Sequence, residues 1–165
     1  MLDWNVVAAI SSAVSAVVVV GGGAVAVYQL REARRAAQFD ATQRMVAQML
    51  DPIFNGALRF VIGDLANRLR DPEYRAELER SRGWEVDATR HPELIVLARL
   101  EEIGIYLRHR LLLGDALLDF NAELILQGWE PLRDVVDLMR RSHRNPRVWS
   151  NAEYLYERAK SVHHS

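Results

Sequence analysis

Apolar and polar positions are segregated along this chain. Between Trp4 and Tyr28 no residue carries a charge, and Val6 to Val27 reads VVAAISSAVSAVVVVGGGAVAV. At a helical rise of ~1.5 Å per residue that run covers roughly 33 Å, enough for a bilayer core. Backbone groups in lipid must be bonded internally, so the valine-rich stretch is predicted helical despite its β-propensity in water. The reading is a transmembrane anchor over residues 1–28, with Gly21, Gly22 and Gly23 as a soft point. Trp4 and Tyr28 act as interface anchors, because amphipathic rings favour the headgroup level. Ala24-Val25-Ala26 has the small-x-small form of a signal-peptide cleavage site. However, Met1-Leu2-Asp3 carries no positive charge and the apolar run exceeds a signal h-region, so an uncleaved anchor is expected. Ala8, Ser12 and Ala16, with Ser11, Ser15 and Gly22, form a small-residue stripe along which another helix could pack; the alternative is the ordinary abundance of such residues in spans.

After Tyr28, strong helix formers continue without Pro or Gly to Asp51-Pro52, predicting a helical stalk over 29–51. Leu30, Ala33, Ala37, Met45, Gln48 and Met49 give it a partly apolar face. Residues 52–165 then read as a helical bundle. Asp51 caps a helix from Pro52 to about Leu69, with Phe54, Leu58, Val61, Ile62 and Leu65 at helical spacing. Asp71-Pro72 starts a short charged helix over Glu73 to Arg80, and Ser81 to His91, holding Gly83 and Trp84, forms the longest loop. From Pro92, Leu94, Leu97, Leu100, Ile105, Leu107 and Leu111 predict a helix to about Leu113, closed by Gly114. Asp115 caps the next, which carries Leu117, Leu118, Phe120, Leu124 and Ile125 and ends near Gly128. Another begins at Pro131 with Leu132, Val135, Val136 and Met139, and a last at Asn145-Pro146 with Trp149, Ala152, Leu155 and Tyr156. No segment alternates with period two, so no sheet is expected. The fold class is all-α: a single N-terminal transmembrane helix continuing into a stalk, followed by a cytoplasmic helical bundle.

Charge adds orientation. Arg31, Arg34 and Arg35 follow the span and Asp3 precedes it, placing the N-terminus outside and the bundle in the cytoplasm. A formal net charge of −1 gives no bulk attraction to nucleic acid. The absence of cysteine excludes disulfides, thiolate zinc sites and cysteine nucleophiles.

Several local patterns coincide in the second half of the chain. They are LARLEEIGIYL from Leu97 to Leu107, Gly114-Asp115 before Leu117 and Leu118, Gly128-Trp129-Glu130-x-Leu132, and Trp149 followed by Glu153-Tyr154-Leu155. Together with an upstream membrane helix, an Arg-rich stalk and Asp51-Pro52-x-Phe54, they resemble DUF4760, a family of uncharacterised bacterial membrane proteins. The family often has Asn where Ala98 stands, and the loop between Arg80 and Pro92 departs from its pattern. The resemblance implies the architecture, leaves the function open and carries over no catalytic residue; the expected location is a bacterial inner membrane.

Candidate chemistry is sparse. Glu101, Glu102 and His109 share one predicted helix, and Glu102 and His109 lie on one face two turns apart. A di-metal bundle site needs Glu-x-x-His pairs, and none occurs. A buried Glu bonded to Trp129, a backbone group or an Arg accounts for the pattern, so no metal or cofactor is expected. His91-Pro92-Glu93 reads as a helix start with an acidic first turn, favourable to the dipole. Arg140, Arg141, His143, Arg144 and Arg147 form the densest basic run and, with Arg31, Arg34 and Arg35, are candidates for anionic lipid headgroups; the alternative is a solvated cationic helix end. Neither a phosphate loop nor a Ser nucleophile elbow is present.

The expected function is a non-catalytic accessory subunit of a larger membrane assembly such as a respiratory or photosynthetic complex. Its partners would be the bilayer and other membrane subunits. The alternatives are a self-associating signalling or defence effector, which would be a homo-oligomer, and a metal-dependent enzyme centred on Glu102 and His109.

Overall fold

The computed structural model describes the backbone of residues 4–81 and 87–163, and the side chains within them apart from 4–20, 24 and 115. Every regular element among the described residues is helical: α1 (Trp4–Met49), α2 (Pro52–Gly63), α3 (Leu65–Arg68), α4 (Pro72–Arg80), α5 (Glu93–Arg108), α6 (Gly114–His143) and α7 (Ser150–His163). The chain divides into two compact units, Met1–Asp40 and Ala41–Ser165.

The first unit is most of α1. Apart from the half-buried Gln38, its described side chains stand open to the surroundings, Leu30, Ala33 and Ala37 included. Among the described residues no helix is long and apolar enough to cross a membrane. The run expected to do so, Val6 to Val27, lies largely outside the described side chains, as do Trp4, Ala8, Ser11, Ser12, Ser15 and Ala16. At Gly21, Gly22 and Gly23 no heavy atom comes within 4 Å of where a Cβ would stand.

The second unit is a bundle around α5, whose Leu97, Leu100 and Ile103 are buried. It packs along α7 and against α2 and α6. Burying each such side chain is worth about 2 kcal/mol. Among the described glycines the tightest site is Gly104, where a Cβ would collide with the main-chain carbonyl of Asn151, so glycine permits the α5–α7 contact. The last turns of α1 belong to this unit, with Met45 and Met49 buried and the Leu113 amide donating to Thr42 Oγ1 at 2.9 Å.

Two helix starts follow the local chemistry. Asp51 accepts from the amides of Ile53 (2.8 Å) and Phe54 (3.3 Å), and Asp71 from Glu73 (2.9 Å), each ahead of a proline in the first turn.

Elsewhere packing overrides the local signals. The helix expected from Pro52 to Leu69 breaks at Asp64 into α2 and α3. α5 ends at Arg108 rather than Leu113, because Arg110 turns left-handed (φ 56°). There the Leu111 amide reaches the Tyr106 carbonyl at 2.9 Å and Arg110 reaches Leu107 at 3.0 Å, the double closure of a Schellman turn. Gly114 begins α6 instead of closing α5.

The two helices expected on either side of Gly128 and Pro131 are one, α6. A proline inside a helix costs about 3 kcal/mol. Ile125 and Trp129 before it and Leu132, Val135, Val136 and Met139 after it are all buried in one register, and that burial outweighs the break. Gly128 faces Leu58 of α2, whose Cδ1 would lie 3.1 Å from a Cβ. α6 ends in a second Schellman turn, with Arg144 left-handed (φ 49°) and Asn145 reaching the Arg140 carbonyl at 3.2 Å. α7 starts at Ser150, after a left-handed Trp149 (φ 58°), rather than at Asn145-Pro146.

Candidate functional site

Two glutamates of α5 are drawn into polar networks of different kinds. Glu101 caps the start of α7. Its Oε2 accepts from the amides of Asn151 (2.9 Å) and Ala152 (2.8 Å), and its Oε1 from Asn151 Nδ2 (2.7 Å). Ser150, Asn151 and Ala152 are the first residues of α7, so the carboxylate sits where the helix leaves amides unpaired and its dipole is positive. Glu102, one residue on, instead meets Arg99 Nη1 at 2.6 Å, and the same nitrogen donates to Gln48. No bond joins Glu102 to His109, which lies exposed at the end of α5. Among the described residues no three His, Cys, Asp or Glu side chains stand together as a metal site. The Glu101–Glu102–His109 pattern is therefore divided between a helix cap, an ion pair and solvent.

The second network lies between α4 and the start of α5. Glu93 is 0% exposed and His91 2%. The Tyr74 hydroxyl donates to Glu93 Oε2 at 2.7 Å, and His91 Nδ1 lies 2.9 Å from Glu93 Oε1. On the opposite edge of the ring, His91 Nε2 lies 3.0 Å from Glu77 Oε2, and Arg90 pairs with Glu77 Oε1 at 2.8 Å. Because the two carboxylates flank opposite edges of the imidazole, the trio is a relay and not a cage for one ion. The Tyr74 ring rests on the imidazole with centroids 4.4 Å apart. Burial, and then the bond to Glu93, push the Tyr74 hydroxyl's titration well above its ordinary 10.0.

Sequence geometry assembles this relay. Tyr74 and Glu77 are three residues apart on α4 and share a face. Glu93 occupies the first turn of α5, where the dipole favours its charge. Asp87 sets the turn before it, accepting from the Thr89 amide (2.8 Å) and hydroxyl (2.7 Å), and those bonds hold the Asp87 carboxyl below its usual range. A cleft of about 350 Å³ lies alongside, lined by Phe60, Arg68, Tyr74, Thr89 and Arg90 among others.

His91-Pro92-Glu93 was legible as a helix start but not as a buried relay. The missing signal was the pairing of Tyr74 and Glu77, which sit in an otherwise charged, surface-like helix.

The Tyr156 hydroxyl finds two partners. Tyr156 donates to Glu130 Oε1 (2.7 Å) and accepts from Arg133 (2.7 Å), and its ring stacks on Trp129 at 5.9 Å. The bond to Glu130, then burial, raise its titration.

The basic run is divided. Arg140 is engaged by Glu153 (2.8 Å) and the Val148 carbonyl (3.0 Å), Arg144 forms the left-handed terminus of α6, and Arg141, Arg144 and Arg147 are exposed. His143 points one ring nitrogen at the Met139 carbonyl (2.7 Å) and the other at the Ser81 carbonyl (2.8 Å), tying α6 to the end of α4. In the first unit Arg31, Arg34, Arg35 and Tyr28 are exposed, with Arg35 meeting Glu32 at 3.2 Å.

The model of a family described as a domain of unknown function matches residues 16–159, which takes in most of α1 and all of the later helices up to Ala159. No curated protein and no solved structure matches the chain. With the greater part of its length matched, the chain belongs to the DUF4760 family.

Proposed function

We propose that this protein is a non-catalytic, single-pass membrane accessory subunit, anchored by residues 1–28, with its helical bundle on the cytoplasmic face of a bacterial inner membrane. One observation carries the reading. Val25 (55% exposed), Val27 (51%), Tyr28 (65%) and Leu30 (71%) are open at the end of an uncharged run that begins after Asp3. Apolar surface left in water costs about 25 cal/mol per Å², so lipid or a partner helix is the natural cover for this part of α1. Arg31, Arg34 and Arg35 follow at once, where cytoplasmic headgroups attract cations. The partner is a subunit of a larger membrane complex, met through the small-residue stripe of Ala8, Ser12, Ser15, Ala16 and Gly22.

Two measurements test this. The chain has no cysteine, so single-cysteine variants at Ser12 and Gln38 can be labelled from either side of a vesicle. Ser12→Cys should be shielded and Gln38→Cys should react from the cytoplasmic side only. Purified from native membrane in mild detergent, the chain should co-migrate with other membrane subunits, and that association should weaken in Ala16→Leu. Recovery in the soluble fraction would remove the anchor; a homo-oligomer alone would favour a self-associating effector.

A further inference from the structure

We propose that His91 is a proton-operated fastening: doubly protonated, its ring holds α4 to the start of α5, and loss of one ring proton releases Glu77 and loosens the Thr89–Arg90 turn. The argument starts from donors and acceptors. An ionised carboxylate only accepts, so with Glu77 and Glu93 both ionised a ring nitrogen facing each of them donates on both edges, which only the imidazolium does. His91 and Glu93 are buried, so water does not replace a lost partner there. Imidazole is also the side chain whose ordinary titration falls between about pH 5 and 8.

Among the described residues, three elements present groups to the ring. α4 presents Glu77 and Tyr74, α5 presents Glu93, and the turn before α5 presents Arg90 and, at longer range, Asp87. Arg90 is itself paired with Glu77 at 2.8 Å. When the ring proton passes to solvent, a nitrogen lone pair faces a carboxylate oxygen about 3 Å away, and one contact must give. Glu93 has no exposure and keeps its bond from Tyr74, whereas the Glu77 side chain is 21% exposed and can turn to water together with Arg90. The release therefore occurs on the Glu77 edge, and it reshapes the cleft wall formed by Thr89 and Arg90.

The test is a ring-nitrogen NMR titration of the full chain in detergent micelles from about pH 5.5 to about pH 9. The His91 signal is assigned by its loss in His91→Gln, and amide exchange is read in the same samples. At the acid end both ring nitrogens of His91 should carry protons. As one is lost, exchange at Leu78, Arg90 and His91 should accelerate by tenfold or more beyond the intrinsic pH effect. In Glu77→Gln, whose amide can donate to or accept from the ring, the proton should be lost at lower pH and the acceleration should shrink at least threefold. A single neutral tautomer across the whole range would overturn the proposal. So would exchange that follows the intrinsic pH effect alone, or one that is identical in wild type and Glu77→Gln.

Discussion

Glu101 and Glu93 sit two turns apart on the same helix and do different work. Glu101 holds the first amides of α7 and an asparagine side chain, none of which titrates in water. Glu93 is bonded to a phenol and an imidazole, both of which do. One carboxylate is an unconditional clamp and the other a conditional one, although both are glutamates joining α5 to a neighbour. The partner, and not the residue, decides whether a buried charge is sensitive to its surroundings.

Changes around α5 can break or sharpen this contrast. The largest effect is expected at Gly104, which carries the unconditional side. Gly104→Leu drives a side chain into the Asn151 carbonyl and should destabilise the bundle by about 3 kcal/mol, read as a lower denaturant midpoint. Glu101→Ala comes next. It strands the α7 amides and should cost about 2 kcal/mol, by an amount that stays constant between about pH 6 and 9. A cost that varies across that range would dissolve the distinction between the two glutamates.

Tyr74→Phe removes one bond to Glu93 and should cost about 1 kcal/mol near neutrality. Its pH dependence carries more information. The folded state holds the Tyr74 proton above the unfolded value of 10.0, so the folded protein binds more protons there and stability falls as pH rises past that point. Tyr74→Phe should lose less stability over the same alkaline range, measured by urea unfolding. Least of all, Glu102→Gln should shift stability by no more than about 0.5 kcal/mol, because its pair with Arg99 is partly solvated. A drop of several kcal/mol there would restore Glu102 as a residue of special importance.

Much of the bundle was legible because its signals are local. Asp51-Pro52 and Asp71-Pro72 act within three residues, through side-chain bonds to the next free amides, and both helices begin where those residues say. The apolar spacing of Leu94, Leu97 and Leu100 likewise named a buried face, since it depends only on helical periodicity. Terminators were less legible. Arg110 and Arg144 end their helices in a conformation that composition assigns to glycine, while Gly128 and Pro131, the apparent breakers, lie inside α6. The contacts that overrule them come from α2 and α7, distant in sequence. Phe120 offers the converse lesson: expected on the apolar side of its helix, it is 88% exposed, while Leu117 and Leu118 beside it are fully buried.

By itself, the sequence determined an all-helical chain with an uncharged N-terminal run, a charged helical continuation and a bundle whose first helices start at capped prolines. Those features follow from helical spacing, side-chain caps and the separation of charge, all of which act over a few residues. Only the tertiary structure decided that α6 runs unbroken through a proline, that Glu101 caps a helix 50 residues later, and that His91 lies between two carboxylates. Each of these depends on atoms brought together from separate helices, where burial and a bonding partner, summed across the packed unit, exceed the preference of any single residue.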